Sequence, residues 1–148
     1  MDNTSNDAVH ALLMEILHTR RSLRQAIKRM LKKSNVNMTF EMFQIMSYLL
    51  YRDGVSQQVL AERTVKTKTC MTNLINNLET KDWVIRRKDT EDKRNQLIFL
   101  TDTGREVSEE IHQLLNDFHC QISKKISGKQ MEEATNQLLK LSRILDEI

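Results

Sequence analysis

With 148 residues, 39% hydrophobic and 29% charged, the chain is long enough to bury one domain's core and too apolar to stay disordered. No apolar run approaches the roughly 20 residues of a membrane span, and the polar start MDNTSNDAVH is no signal peptide, so a cytoplasmic protein is expected. A net charge of +3 is too small to name a partner by itself, and 5% aromatic content weighs against base-stacking platforms.

Zero prolines and three glycines predict a helix-rich fold with few tight loops. Residues 7–33 place Val9, Leu12, Leu13, Ile16, Leu17, Leu23, Ile27, Met30 and Leu31 at three- and four-residue steps, the period of one helix face, with Asp7 as N-cap. The second half of this helix, RRSLRQAIKRMLKK, is strongly basic, which suits a solvated face and a helix C-terminus. After SNVN, Thr39 opens a second helix to about Tyr51, and Gly54 suits the left-handed residue that ends it. Ser56 caps a short helix with Val59 and Leu60 inward. Thr67 caps another to about Thr80, with Met71, Leu74, Ile75 and Leu78 on one side and Lys68, Thr69, Thr72, Asn73 and Asn76 on the other.

Two strand-like runs follow, WVI at 83–85 and LIFL at 97–100, around the charged stretch DTEDKRNQ. Thr101 or Asp102 then caps a long helix through about Ile126, SGK breaks it, and a last helix carries Met131, Ala134, Leu138, Leu141, Leu145 and Ile148. The fold class expected is mainly α with a small β-wing, as one domain over 1–148.

Positive charge falls in blocks. Residues 1–35 carry +4 and residues 63–94 carry +4, while 36–62 carry −2 and 95–148 carry −3. The second basic block coincides with the helix pair and the hairpin. A helix-turn-helix followed by a two-stranded hairpin is a winged helix-turn-helix, a module that presents a helix to the DNA major groove and a hairpin to the adjacent minor groove. Asparagine pairs with adenine, lysine reaches guanine, and threonine bonds a base or touches a thymine methyl. The expected DNA-contacting set is Ser56, Gln57, Lys66, Lys68, Thr69, Thr72, Asn73, Asn76, Arg87, Lys88, Lys93 and Arg94. Arg94 is the minor-groove side chain, and Asp92 is its orienting partner through a charge-assisted bond. Arg86, Arg87, Lys88 and Lys93 serve phosphates, although Arg87 and Lys88 alternate across the hairpin and only one need face DNA.

The order and spacing of LAERTVKTKTCMTNLINNLETKDWV, of RRKDTEDKRNQLIFLTDTG with its D-x-x-D-x-R pattern at Asp89, Asp92 and Arg94, and of L-T-x-x-G from Leu100 to Gly104 resemble the MarR family of bacterial transcription regulators over nearly the whole chain. The resemblance implies a winged helix-turn-helix module at 39–100 and a homodimer whose base is built from the helices at 7–33 and 102–148. An excess of apolar helix surface over what a small module can cover points the same way, with an intramolecular bundle as the alternative. The resemblance further implies a repressor on a pseudo-palindromic operator and a small aromatic or anionic effector, held in a cleft where His18, Arg21, Met42, Met46 and Tyr48 are candidates. Three positions depart from the family pattern: Glu91 in the wing, Asp82 at a common glycine, and Thr64-Val65 where Leu-Gly is frequent, which bears on the angle between the paired helices.

Cys70 reads as a small buried thiol and Cys120 as packing in a dimerisation helix. His10, His18, His112 and His119 have no metal-ligand spacing, so no metal and no cofactor are expected. No phosphate loop or catalytic triad is present, which argues against an enzyme. The competing non-DNA reading, a winged-helix protein-interaction module, would need exposed aromatic or apolar anchors on the recognition face, where the sequence puts polar residues.

Overall fold

A computed structural model describes residues 3–64 and 66–148. Val65, half of the Thr64-Val65 departure, lies outside the described residues. The elements run α1 (Asn3–Lys33), α2 (Phe40–Tyr51), β1 (Val55–Ser56), α3 (Gln57–Thr64), α4 (Lys68–Thr80), β2 (Val84–Lys88), β3 (Gln96–Leu100), α5 (Asp102–Ser123) and α6 (Gly128–Glu147). The chain divides into two compact units, one reaching to His112 and the other Gln113–Ile148, with the boundary inside α5.

In the first unit, α2, α3, α4 and a three-stranded antiparallel sheet of order β1-β3-β2 share one core. Ile45, Met46, Leu49, Leu60, Met71, Ile75, Leu78 and Ile98 are its fully buried side chains. α1 joins it only through its C-terminal half, where Ile27, Met30 and Leu31 are buried while Val9, Leu12 and Leu17 stay exposed. The joint between α1 and α2 is fixed by an Arg24–Glu41 ion pair, and the Arg24 guanidinium lies 4.8 Å from the centre of the Phe40 ring. Burial pushes the Glu41 carboxyl up. Its own backbone N–H, Arg24 and Lys66 push it down, and the net shift is below the ordinary glutamate value.

Local chemistry sets the element ends. Thr39 and Thr67 have extended backbones and accept the N–H of Met42 and Cys70, both at 3.2 Å, so α2 and α4 begin where a short hydroxyl can close the first turn. Ser56 does the same for α3 by accepting the Val59 N–H at 3.2 Å. Ser127 and Gln130 form a reciprocal capping box that starts α6. Gly54 has φ +70°, and a Cβ there would lie 2.6 Å from the Phe99 ring, so the turn into β1 needs glycine on both counts.

The helix after the wing explains the L-T-x-x-G spacing. Thr101 is the cap: its Oγ1 accepts the Gly104 N–H at 2.9 Å and donates to the Asp82 carbonyl at 2.5 Å. A Cβ on Gly104 would meet the Trp83 carbonyl oxygen at 1.8 Å, so the close approach of α5 to the start of the wing admits no side chain. Asp82 holds φ +57°, the left-handed conformation that a glycine would adopt freely and that aspartate tolerates.

Four expectations are corrected. α1 already includes Asn3, so Asp7 lies within the helix and is not its cap. α5 ends at Ser123, three residues before the expected Ile126. The wing is not a two-stranded hairpin alone, because Val55 and Ser56 pair with Ile98 and Leu97 as a third strand. Cys70 is half-buried and not fully buried.

Candidate nucleic-acid interface

α4 turns Met71, Ile75 and Leu78 into the core, with Leu74 half-buried beside them, so its other side is fixed by the helical period as an outward face. Lys68, Thr69, Asn73 and Asn76 are exposed on it, and Thr72 is half-buried. α3 braces this helix through its first residue: Gln57 Nε2 donates to Thr72 Oγ1 at 2.7 Å, and that hydroxyl donates to the Lys68 carbonyl at 3.0 Å. The hydroxyl of Thr72 is thereby engaged both ways, as acceptor and as donor. Ser56 is engaged as a cap. Lys66 sits in the turn, half-buried, with its backbone N–H bonded to the Ala61 carbonyl at 2.9 Å.

The wing carries the other candidates. Its register pairs Arg86 with Ile98, Arg87 with Leu97 and Lys88 with Gln96. Side chains alternate along β2, so Val84, Arg86 and Lys88 share one face and Ile85 and Arg87 share the other. Arg87 stands 5.7 Å from the centre of the Phe99 ring on that second face. Lys88, Lys93 and Arg94 are exposed, and no side-chain partner holds them among the described residues.

Two readings of wing residues change. Arg86, expected on phosphates, is turned toward α4: it pairs with Glu79, and Nη2 donates to Asn76 Oδ1 at 2.8 Å. Its side chain is only 19% exposed, and burial draws the guanidinium's affinity for its proton down from the usual arginine value. The Asp92 carboxylate does not meet the Arg94 guanidinium. Its Oδ1 accepts the Arg94 backbone N–H at 3.0 Å, and its carbonyl accepts the Asn95 N–H at 3.0 Å. Asp89 Oδ1 likewise accepts the Glu91 N–H at 3.0 Å. The two aspartates of D-x-x-D-x-R therefore fold the tip, as Asx turns do, and the exposed Arg94 side chain has no partner among the described residues.

A model of the family described as transcriptional regulator SarA/Rot matches residues 14–111, two thirds of the chain and all of the winged module. The chain belongs to the SarA/Rot family of transcriptional regulators. No curated protein matches it. Solved structures share the fold of this SarA/Rot regulator along most of its length. The transcriptional regulator BldR from Sulfolobus solfataricus is 24% identical with a TM-score of 0.78, over 100% of both chains. A putative MarR-family regulator from Listeria monocytogenes, complexed with a 26mer DNA, is 20% identical with a TM-score of 0.79, over 91% of this chain and 89% of that one. NadR in complex with 4-hydroxyphenylacetate is 22% identical with a TM-score of 0.78, over 88% and 92%. These likenesses establish a winged-helix fold of the MarR type.

The effector candidates scatter in this regulator. Met42 and Met46 are core residues of α2. Tyr48 is half-buried and His18 exposed. Arg21 alone of the five lines a cleft of about 390 Å³, which it shares with Leu17, Arg20, Leu23, Arg24, Phe40, Gln44 and Lys66. Gln44 Oε1 is buried there without a hydrogen-bond partner among the described residues. Among those residues no group of three or more His, Cys, Asp or Glu side chains could hold a metal, and no helix is long and apolar enough to cross a membrane.

The Arg86–Glu79–Asn76 cluster is the feature that sequence reasoning missed. Its signal was present: strand alternation puts Arg86 on the same side as buried Val84, and Asn76 and Glu79 are three apart on the helix that precedes the strand.

Proposed function

We propose that this regulator binds double-stranded DNA sequence-specifically as a homodimer in the bacterial cytoplasm, represses from a pseudo-palindromic operator, and is released by a small aromatic or anionic effector. It acts as a binding protein and not as an enzyme. The observation that carries the reading is the division of polar groups in the module. Gln57, Thr72, Glu79, Arg86, Asp89 and Asp92 are consumed in internal bonds, whereas Lys68, Thr69, Asn73, Lys88, Lys93 and Arg94 are left outward-facing, with no side-chain bond among the described residues. A helix face that can read base edges and a narrow cationic tip that can enter a minor groove are what a duplex requires at adjoining grooves.

The homodimer is supported by apolar residues left exposed on α1 and on α6, which a second copy would cover. In this reading 39–100 is the DNA-binding module, and the helices at 7–33 and 102–148 form the dimer base. The cleft at Arg20 and Arg21 supports the effector, since its cations suit a carboxylate and Leu17, Leu23 and Phe40 suit a ring. NadR, of like fold, is solved with an arylacetate of that chemistry.

Selection of bound DNA from a random pool tests the reading. Enriched sequences should be palindromes with half-sites about one helical turn apart, and Arg94→Ala should weaken binding to them by about 1–3 kcal/mol. Recovery of unenriched DNA bound only through salt-sensitive contacts would refute it. Titration of the complex with arylacetates and salicylates should release DNA from wild type and not from Arg21→Ala.

A further inference from the structure

Asn73 and Asn76 lie one turn apart on the outward side of α4, yet their amides are not equivalent. Asn73 makes no side-chain bond within the described residues, so it can offer oxygen and nitrogen together. Asn76 Oδ1 is held by Arg86 Nη2 at 2.8 Å. An arginine has donors only, so the atom facing it must be the amide oxygen, and the Asn76 NH₂ is turned away. Arg86 cannot drift off this position, because its other arm pairs with Glu79 and its side chain is largely covered. The first strand of the wing thereby sets the orientation of one base-facing group on the recognition helix.

We infer that Arg86 is a positioning residue for specificity: by fixing Asn76 it makes that residue a donor-only reader, matched to an acceptor edge such as guanine O6 and N7, while Asn73 remains the two-handed adenine reader. The inference rests on the DNA-binding reading above. A bidentate contact of asparagine with adenine uses the oxygen to accept from N6 and the nitrogen to donate to N7. With the oxygen turned toward Arg86, it is directed away from the base edge, which takes half of that pattern out of reach. Arg86 contributes nothing to phosphate attraction, because its charge is matched by Glu79.

Selection from a random DNA pool and salt titration, run on the full-length protein and its variants, test this. Wild type should prefer guanine at one position of each half-site and adenine at a neighbouring one. Arg86→Ala should abolish the guanine preference, moving it toward adenine by about tenfold, with the slope of affinity against salt unchanged. Loss of a phosphate contact would instead reduce that slope by about one. Asn76→Asp keeps the bond to Arg86 but removes the donor, so it should erase the same preference in a protein whose thermal unfolding is undiminished. Asn73→Ala should alter only the adenine position. A reduced salt slope in Arg86→Ala, or a guanine preference that survives Asn76→Asp, would overturn the inference while leaving the DNA-binding reading intact. Failure of wild type to enrich any sequence would overturn both.

Discussion

α4 and α6 are both amphipathic, and they meet opposite fates. Met71, Ile75 and Leu78 on α4 are 0% exposed, whereas Leu138, Leu139 and Leu145 on α6 are 48%, 52% and 50% exposed, and α6 buries no residue at all. The period of apolar residues states that a helix has a side to bury. It says nothing about what will cover it. α4 finds its cover in α2, α3 and the sheet of its own unit. The capping box gives α6 a defined start, but a 20-residue helix gains too little from caps and backbone bonds to be secure in water without a packed face. In the proposed dimer, this is the difference between a module complete in one chain and a surface that a second copy would cover.

The largest effect that would break this contrast belongs to the module. Ile75→Ala removes a fully buried branched side chain between α4 and the sheet, and it should lower unfolding free energy by about 2–5 kcal/mol in denaturant titration. Leu145→Ala, made on a side chain half in water, should cost far less in a dilute, dissociated sample. Equal losses would mean that α6 is packed as tightly as α4, and the contrast would fail.

Legibility followed the same divide. Helix starts at Thr39, Ser56 and Thr67 were readable because a hydroxyl at an N-cap is local chemistry, decided within three residues. β1 was not readable, since two residues cannot display an alternation, and its pairing with β3 exists only once the module is folded. Met42 and Met46 share one buried side of α2 with Phe43, Ile45 and Leu49, so in the single chain they pack in the core, and the cleft at Arg21 is lined instead by Phe40 and Gln44 of that helix. At the wing, the sequence marks Asp92 as an orienting group but directs it to the wrong atom of Arg94, the guanidinium in place of the backbone N–H. A carboxylate two residues before a free backbone N–H closes a turn more readily than it reaches the tip of a long flexible side chain. Arg86 is a different case: alternation with buried Val84 marks its inward side in the sequence, but its partners Glu79 and Asn76 are brought to it only once helix and strand are placed.

A smaller effect would sharpen the contrast from the α6 side. If a second copy covers the exposed leucines, Leu139→Glu places two charges in that interface, one per protomer. Burial of a leucine is worth about 1.5–3 kcal/mol, so the dimer should dissociate at least about tenfold more readily in sedimentation velocity across a concentration series. The circular dichroism of the winged module should be unchanged. A variant that sediments as wild type at every concentration would remove α6 from the proposed interface.

The smallest effect concerns α1, which contains the contrast within one helix: exposed apolar residues in its first half, buried ones in its second. Arg24 and Glu41 mark where the second half is attached to α2. The Glu41 carboxyl is held below its ordinary value because its backbone N–H, Arg24 and Lys66 outweigh the cost of burial. A depressed folded-state value means that the unfolded chain takes up the proton first. The attachment is therefore fully present above the unfolded value, about pH 4.3, and is lost as pH falls through the lower folded value. The pair is partly open to solvent, so its worth at neutral pH is at most about 1 kcal/mol. Thermal unfolding of wild type and Glu41→Gln should differ by that small margin at pH 7, and the margin should close as the pH drops toward 3. A margin that stays constant over that range would mean that the second half of α1 is held by Ile27, Met30 and Leu31 alone, and that the ion pair only decorates a joint made by packing.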